Sequence, residues 1–144
     1  MKPVHGDTTQ ITSEFVVTGT PACMAPEQVL GNKPVDARSD IYALGCVAYW
    51  LLTGHSVFEG TMMEMLTAHA GGTPVAPSER LGRPVSEALE RLVLACLEKD
   101  PDRRPESADA LVARLADMNL DDDWTPGDAR EWWQRQSLCA LSTR

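Results

Sequence analysis

Hydrophobic residues are most concentrated between positions 41 and 52, where no charged side chain interrupts them. Apolar side chains there fall on every side of a helix, which predicts a helix enclosed by other elements. Ser39 or Asp40 can cap its first turn, and Gly54 can adopt the left-handed conformation that ends it. The run has only about a dozen residues, whereas a bilayer needs about 20. We therefore expect a core helix and no membrane span.

Helical spacing of apolar positions recurs in three further stretches, at residues 61–70, 86–99 and 107–118. Each begins at a serine or threonine that can cap a helix. A short helix is expected over residues 26–31, because proline is favoured at the first helical position and glycine just after the last. Residues 73–85 contain three prolines and are predicted to hold no regular helix. No stretch predicts a strand, so the fold class is mainly α.

Both ends of the chain differ from this helical region. Residues 1–18 are polar, without an apolar period, and predict an exposed loop. An acidic run at 121–123 marks a boundary after the last core helix, and a tail helix carrying two tryptophans follows it. The predicted division is residues 1–18, 19–118 and 119–144.

Charge and cysteine content exclude several classes of function. The net charge of −8 argues against a nucleic-acid or anionic-membrane partner, because both require a basic surface. The four cysteines lie far apart, with no C-x-x-C pair and no secretory signal before them. This pattern favours reduced thiols in a cytoplasmic protein. The three histidines have no zinc-binding spacing, so no metal site is expected.

Three motifs follow one another along the helical region. Residues 19–27 read G-T-P-A-C-M-A-P-E, residues 39–45 read S-D-I-Y-A-L-G, and residues 100–105 read D-P-D-R-R-P. In this order they resemble the protein kinase superfamily, and the first two are most similar to bacterial serine/threonine kinases. The resemblance covers roughly residues 8–118. It implies a partial, helical large (C-terminal) lobe, without the small β lobe and the catalytic loop.

The resemblance also implies roles for individual parts of the chain. Residues 1–18 resemble the activation segment, and Gly19, Thr20 and Pro21 resemble the loop that binds a protein substrate. The Thr20 hydroxyl is then expected to bond the catalytic aspartate and position the serine or threonine that accepts phosphate. An ordinary turn threonine is the alternative.

Three charged residues have structural roles by the same resemblance. Glu27 and Arg104 are similar to a buried ion pair that ties the activation segment to the last helices; two solvated charges are the alternative. Asp40 resembles an aspartate that accepts hydrogen bonds from the backbone of the catalytic loop, although it can also be a helix cap.

Two further features concern modification. Thr12 and Ser13 lie upstream of Gly19, where bacterial relatives carry activating phosphates, and both are candidates for phosphorylation. Cys23 stands where the family often has an aromatic residue. We interpret it as a tolerated small apolar substitution, although a redox role is an alternative.

The sequence contains no G-x-G-x-x-G and no D-F-G, the motifs with which a kinase covers the phosphates and holds the metal. His5-Gly6-Asp7 is not an H-R-D loop, because Thr12 stands where its metal-binding asparagine would fall. We therefore expect no catalytic residue, metal ligand or cofactor in this chain. By the resemblance, ATP and Mg are expected only in intact members of the family.

Two functions are consistent with this pattern. The chain is expected to be the C-terminal part of a serine/threonine protein kinase, with a protein substrate or the missing N-terminal kinase half as its partner. Alternatively, it is a non-catalytic binding module that captures kinase substrates or regulators. Because the other helices cover only part of the central helix, self-association is possible. Several of the large central side chains Ile41, Leu44, Tyr49, Trp50 and Leu52 are therefore expected to be partly exposed.

Overall fold

A computed structural model of the chain describes residues 20–118 and 125–141. Within these ranges the chain forms α-helices and two short 3₁₀ helices, with no strand. The α-helices are α1 (Pro26–Leu30), α2 (Ala37–Thr53), α3 (Met62–Gly71), α4 (Pro77–Leu81), α5 (Glu87–Cys96), α6 (Ala108–Ala116) and α7 (Pro126–Leu141). The 3₁₀ helices are Pro21–Cys23 and Pro101–Arg103. The predicted mainly α fold is confirmed for the described residues.

Helix α2 begins earlier than its apolar run predicts. Asp36 is its N-cap, and its carboxylate accepts a hydrogen bond from the Arg38 backbone N–H at 2.8 Å. The predicted caps Ser39 and Asp40 are wrong, because both already lie in the first turn of the helix. The C-terminal prediction is confirmed, since Gly54 has a φ of 72° and its N–H bonds the Trp50 carbonyl.

Packing between α2 and α5 forms the centre of the core. Tyr42, Cys46 and Tyr49 of α2 share one buried cluster with Val93 and Leu97. A second cluster joins α2 to α5 and α6 through Ile41, Leu92, Cys96 and Leu111. The two helices approach closely at Gly45, where an added Cβ would lie 2.7 Å from the Cβ of Cys96. Glycine in the second motif is therefore explained by helix packing.

The starts of the remaining helices follow their capping signals in most cases. At α3, the Thr61 backbone N–H donates to the Glu64 carboxylate at 2.8 Å, and at α6 the Ser107 hydroxyl accepts from Ala110 at 3.1 Å. Ser86 precedes α5, but its side chain makes no capping hydrogen bond. The prediction of no helix over residues 73–85 is wrong, because α4 lies within this range and begins at a proline. Proline is tolerated at the first helical position, since a backbone N–H there would have no partner within the helix.

One side of α2 has no covering element among the described residues. Four of its large apolar side chains are exposed, namely Leu44, Val47, Trp50 and Leu51. The expected exposure is correct for Leu44 and Trp50, at 47% and 54%, and Leu52 is partly buried. Ile41 and Tyr49 are buried instead, because both face the clusters shared with α5.

Candidate functional site

The first motif forms a short turn followed by helix α1. The Thr20 carbonyl accepts a hydrogen bond from the Cys23 N–H at 3.0 Å, which closes the 3₁₀ turn that begins at Pro21. Thr20 is exposed, and its side chain makes no capping hydrogen bond. Its hydroxyl is therefore directed to no partner within the turn. Gly19 lies outside the described residues.

The turn is fixed to the core through the start of α1. Ala25 is fully buried, and its N–H donates to the Gln28 side chain at 2.9 Å. Pro26 follows at the first helical position, and Gly31 ends the helix with a φ of 60°. Five residues of helix thereby place the Glu27 side chain inside the domain, where it is 2% exposed.

Glu27 and Arg104 form a buried ion pair across 77 residues of sequence. The two guanidinium Nη atoms donate to the two carboxylate oxygens at 2.8 and 2.7 Å, which is a bidentate arrangement. The Ser39 hydroxyl donates to the same carboxylate at 2.6 Å. The structure thus brings together a residue from each of the three motifs.

Backbone carbonyls satisfy the remaining donors of Arg104. Its guanidinium donates to the carbonyls of Arg38 at 3.0 Å, Glu98 at 2.8 Å and Lys99 at 3.2 Å. Its central carbon also lies 5.0 Å from the centre of the Tyr42 ring, within the range of a cation–π contact. The charge is buried with all five N–H donors of the guanidinium hydrogen-bonded, which is the condition for such a pair to be tolerated.

Burial and pairing have opposite effects on Glu27. Burial alone would raise the pKa of its carboxyl, but hydrogen bonds from Arg104 and Ser39 outweigh burial and hold that pKa below its ordinary value of 4.5. Glu27 is therefore ionised at neutral pH, and the loop before α1 is anchored by a charged group.

Asp40 lies apart from this cluster. Its carboxylate is on the exposed side of the first turn of α2 and has no hydrogen-bond partner among the described residues. Arg38, two residues earlier, instead pairs with Asp36 at 2.9 Å and Asp102 at 2.6 Å. Thr12 and Ser13 lie outside the described residues.

A second buried polar cluster was not identified from the sequence. His69 of α3 is fully buried, and its Nδ1 lies 2.8 Å from the Tyr42 hydroxyl. Burial, together with a smaller effect of the nearby Lys99 ammonium, lowers the pKa of His69 to about 4. The neutral ring also contacts Phe58 edge-on at 5.0 Å. One feature of the sequence could have identified His69 as buried. It follows Leu66 by three residues, which places both side chains on the inner face of α3.

The described thiols and carboxylates provide no metal centre. Cys23, Cys46 and Cys96 are free cysteines, and burial raises the pKa of Cys96 to about 11. Within residues 20–118 and 125–141, no group of three potential His, Cys, Asp or Glu ligands is positioned to hold a metal ion. In the same part of the chain, every helix is too short or too polar to cross a bilayer.

Comparisons with known proteins agree with the motifs. Residues 5–115 match the family model described as the protein kinase domain. Serine/threonine-protein kinase pkn3 of Myxococcus xanthus is 42% identical over 109 residues, which cover 73% of this chain and 19% of pkn3. Serine/threonine-protein kinase PknB of Mycobacterium leprae is 39% identical over 110 residues, covering 76% of this chain and 17% of PknB.

A third relative extends the match slightly. The DNA damage-responsive serine/threonine-protein kinase RqkA of Deinococcus radiodurans is 42% identical over 118 residues, or 82% of this chain and 17% of RqkA. The chain spans less than a fifth of the length of these curated relatives.

Proposed function

The chain belongs to the protein kinase family, and from that premise we propose that its helices form the substrate-binding side of a serine/threonine kinase large lobe. The activity of the whole protein is then ATP-dependent phosphorylation of serine or threonine in a protein substrate. The observation that carries this proposal is the buried Glu27–Arg104 pair, which fixes the loop before α1 to the segment after α5. We place that activity in the cytoplasm.

In this function the loop positions the acceptor hydroxyl. Phosphoryl transfer depends mostly on alignment and electrostatics, so a rigid loop contributes by holding the substrate in reach. The 3₁₀ turn is closed by its own backbone hydrogen bond, and Ala25 and Glu27 anchor it from below. The exposed Thr20 hydroxyl remains available to the catalytic aspartate and to the substrate.

We infer that this chain does not bind ATP by itself. The reason is the absence from its sequence of the Gly-rich and D-F-G motifs that hold the phosphates and the metal. Calorimetric titration with Mg-ATP is expected to give no saturable heat in the micromolar range. Saturable micromolar binding would contradict this inference.

A chimaeric kinase tests the proposed function directly. The segment of pkn3 that matches this chain is replaced by the corresponding residues of the chain, and transfer of labelled phosphate to a protein substrate is measured. The chimaera and its Thr20→Ser variant should be active. Thr20→Val, which has the same shape without the hydroxyl, should lose about tenfold or more of the rate.

Circular dichroism establishes that each chimaera is folded before its rate is compared. A folded but inactive chimaera would overturn the proposal, and equal rates for the Ser and Val variants would overturn the role of Thr20. The exposed face of α2 favours a second candidate, a non-catalytic binding module. That candidate predicts a folded chimaera without activity, so the same assay separates the two functions.

A further inference from the structure

Lys99 occupies an unusual place for a lysine. It follows α5, and its Nζ donates to the Tyr42 hydroxyl at 3.2 Å and to the Ala68 carbonyl at 3.4 Å. The ammonium lies 4.7 Å from the centre of the Phe58 ring. No carboxylate among the described residues is within ion-pair distance of it. Lys33, the other lysine in the described ranges, is instead paired with Asp100 at 2.8 Å.

The groups that face Lys99 do little to stabilise its charge. Burial, together with a smaller effect of the Arg104 guanidinium, lowers the pKa of Lys99 to about 8. The thiol of Cys46 opposes this shift only when ionised, and burial raises the pKa of that thiol far above neutral. Burial also raises the pKa of Tyr42 and lowers that of His69, so both are uncharged near pH 7. Glu98 is the one carboxylate that favours the ammonium in this environment.

Lys99 is also reachable from solvent. It is partly exposed and lines two surface cavities of about 280 and 230 Å³. Gly71 and Gly72 form part of the wall of the larger cavity and add no side chain to it. A two-carbon acyl group is much smaller than either cavity.

We propose that Lys99 is a modification site that accepts acyl groups from small acyl phosphates. The lone pair of the neutral amine attacks the acyl carbon, and a C–N bond forms as the C–O bond to phosphate breaks. Inorganic phosphate leaves, and water takes the extra proton of the amine. The product has lost its charge and two of its three N–H donors. Acylation should therefore weaken the contact that Lys99 makes between α2 and α3. This proposal is independent of the proposed kinase function.

Acetyl phosphate is the probe, and the unmodified folded chain is the protein tested. Acetylation of each lysine over time is measured by peptide mass spectrometry at pH 7.5. At this pH a pKa of about 8 leaves about a quarter of the amine neutral, against about one part in a thousand for a pKa of 10.5. Because a less basic amine is also a weaker nucleophile, we expect Lys99 to react about tenfold or more faster than Lys33.

Two controls separate the folded environment from local sequence. In urea the preference for Lys99 should disappear, because both lysines then have ordinary surroundings. In the Asp100→Asn variant Lys33 loses its ion pair, yet it should remain slower than Lys99. The Lys99 rate should rise with pH and level off above about pH 8. Equal rates in the folded chain, a preference that persists in urea, or a rate still rising at pH 10 would each overturn the proposal.

Discussion

Replacement of Arg104 by alanine should destabilise the domain far more than the same change at its neighbour Arg103. The two arginines are adjacent, so their effects on the unfolded chain are closely matched. In the folded chain they differ in burial: the Arg104 side chain is 0% exposed and that of Arg103 is 69% exposed. The comparison therefore isolates the contribution of burial and pairing.

The expected magnitude follows from what each change leaves behind. Arg104→Ala strands the Glu27 carboxylate, which is 2% exposed, with only the Ser39 hydroxyl as a side-chain donor. Removal of one partner of a buried pair costs about 3–5 kcal/mol. Arg103 forms a surface ion pair with Glu98 at 3.2 Å, and such pairs contribute under about 1 kcal/mol.

Urea unfolding followed by circular dichroism provides the measurement. With a urea slope of about 1–3 kcal/mol per molar, the midpoint for Arg104→Ala should fall by about 1 M or more. This fall should be at least about three times that for Arg103→Ala. The midpoint of Arg104→Lys should lie between those of the two alanine variants, because lysine keeps the charge but cannot form the bidentate contact.

A double variant distinguishes a stranded charge from lost packing. Arg104→Ala combined with Glu27→Ala should be less destabilised than the sum of the two single changes, since no unpaired carboxylate remains. Equal midpoints for the Arg103 and Arg104 variants would refute the assigned role of the pair. Strict additivity in the double variant would show that packing, and not charge, sets the cost.

Three further predictions concern pH, modification and assembly. The pKa of Glu27 is lower in the folded state than its ordinary value of 4.5. The stabilisation from ionised Glu27 is therefore fully present above pH 4.5 and is lost as the pH falls through the folded-state pKa. Below about pH 4.5, the urea midpoint should decline less for Glu27→Gln than for the unaltered chain. An active bacterial serine/threonine kinase should phosphorylate Thr12 or Ser13, and mass spectrometry that finds no phosphate in residues 8–18 would contradict this. The isolated chain should self-associate or bind a hydrophobic dye through α2, and Trp50→Glu with Leu51→Lys should reduce both; a monodisperse, dye-free unaltered chain in light scattering would count against it.

Local signals in the sequence predicted some helix ends better than others. Thr61 and Ser107 each stand alone before an amphipathic stretch, and both cap their helices. Before α2, in contrast, Asp36, Ser39 and Asp40 are all capable of capping. Only the extended backbone conformation of Asp36 decides between them, and the side-chain pattern does not contain that information.

The resemblance to protein kinases implied the Glu27–Arg104 pair, but neither that resemblance nor the apolar periodicity identified the cluster around His69. A histidine among apolar residues can lie in the core or at the surface. Its position depends on how α3 meets Tyr42 and Phe58, which are distant in sequence. Likewise, the low pKa of Lys99 arises from burial after α5, although the sequence places it beside two acidic residues. Tertiary packing therefore lowers the pKa of Lys99, whereas its acidic neighbours along the chain would raise it.

The apolar surface of α2 combines two different faces. Tyr42, Cys46 and Tyr49 recur at intervals of four and three residues and face the core shared with α5. Leu44, Val47 and Leu51 recur at intervals of three and four and form the exposed face. Each large apolar side chain left in water forfeits up to about 1.5–3 kcal/mol of burial, which is substantial beside a domain stability of about 5–15 kcal/mol. We therefore predict that a second packing surface covers this face of α2, and that the stability of the isolated chain depends on whether that surface is present.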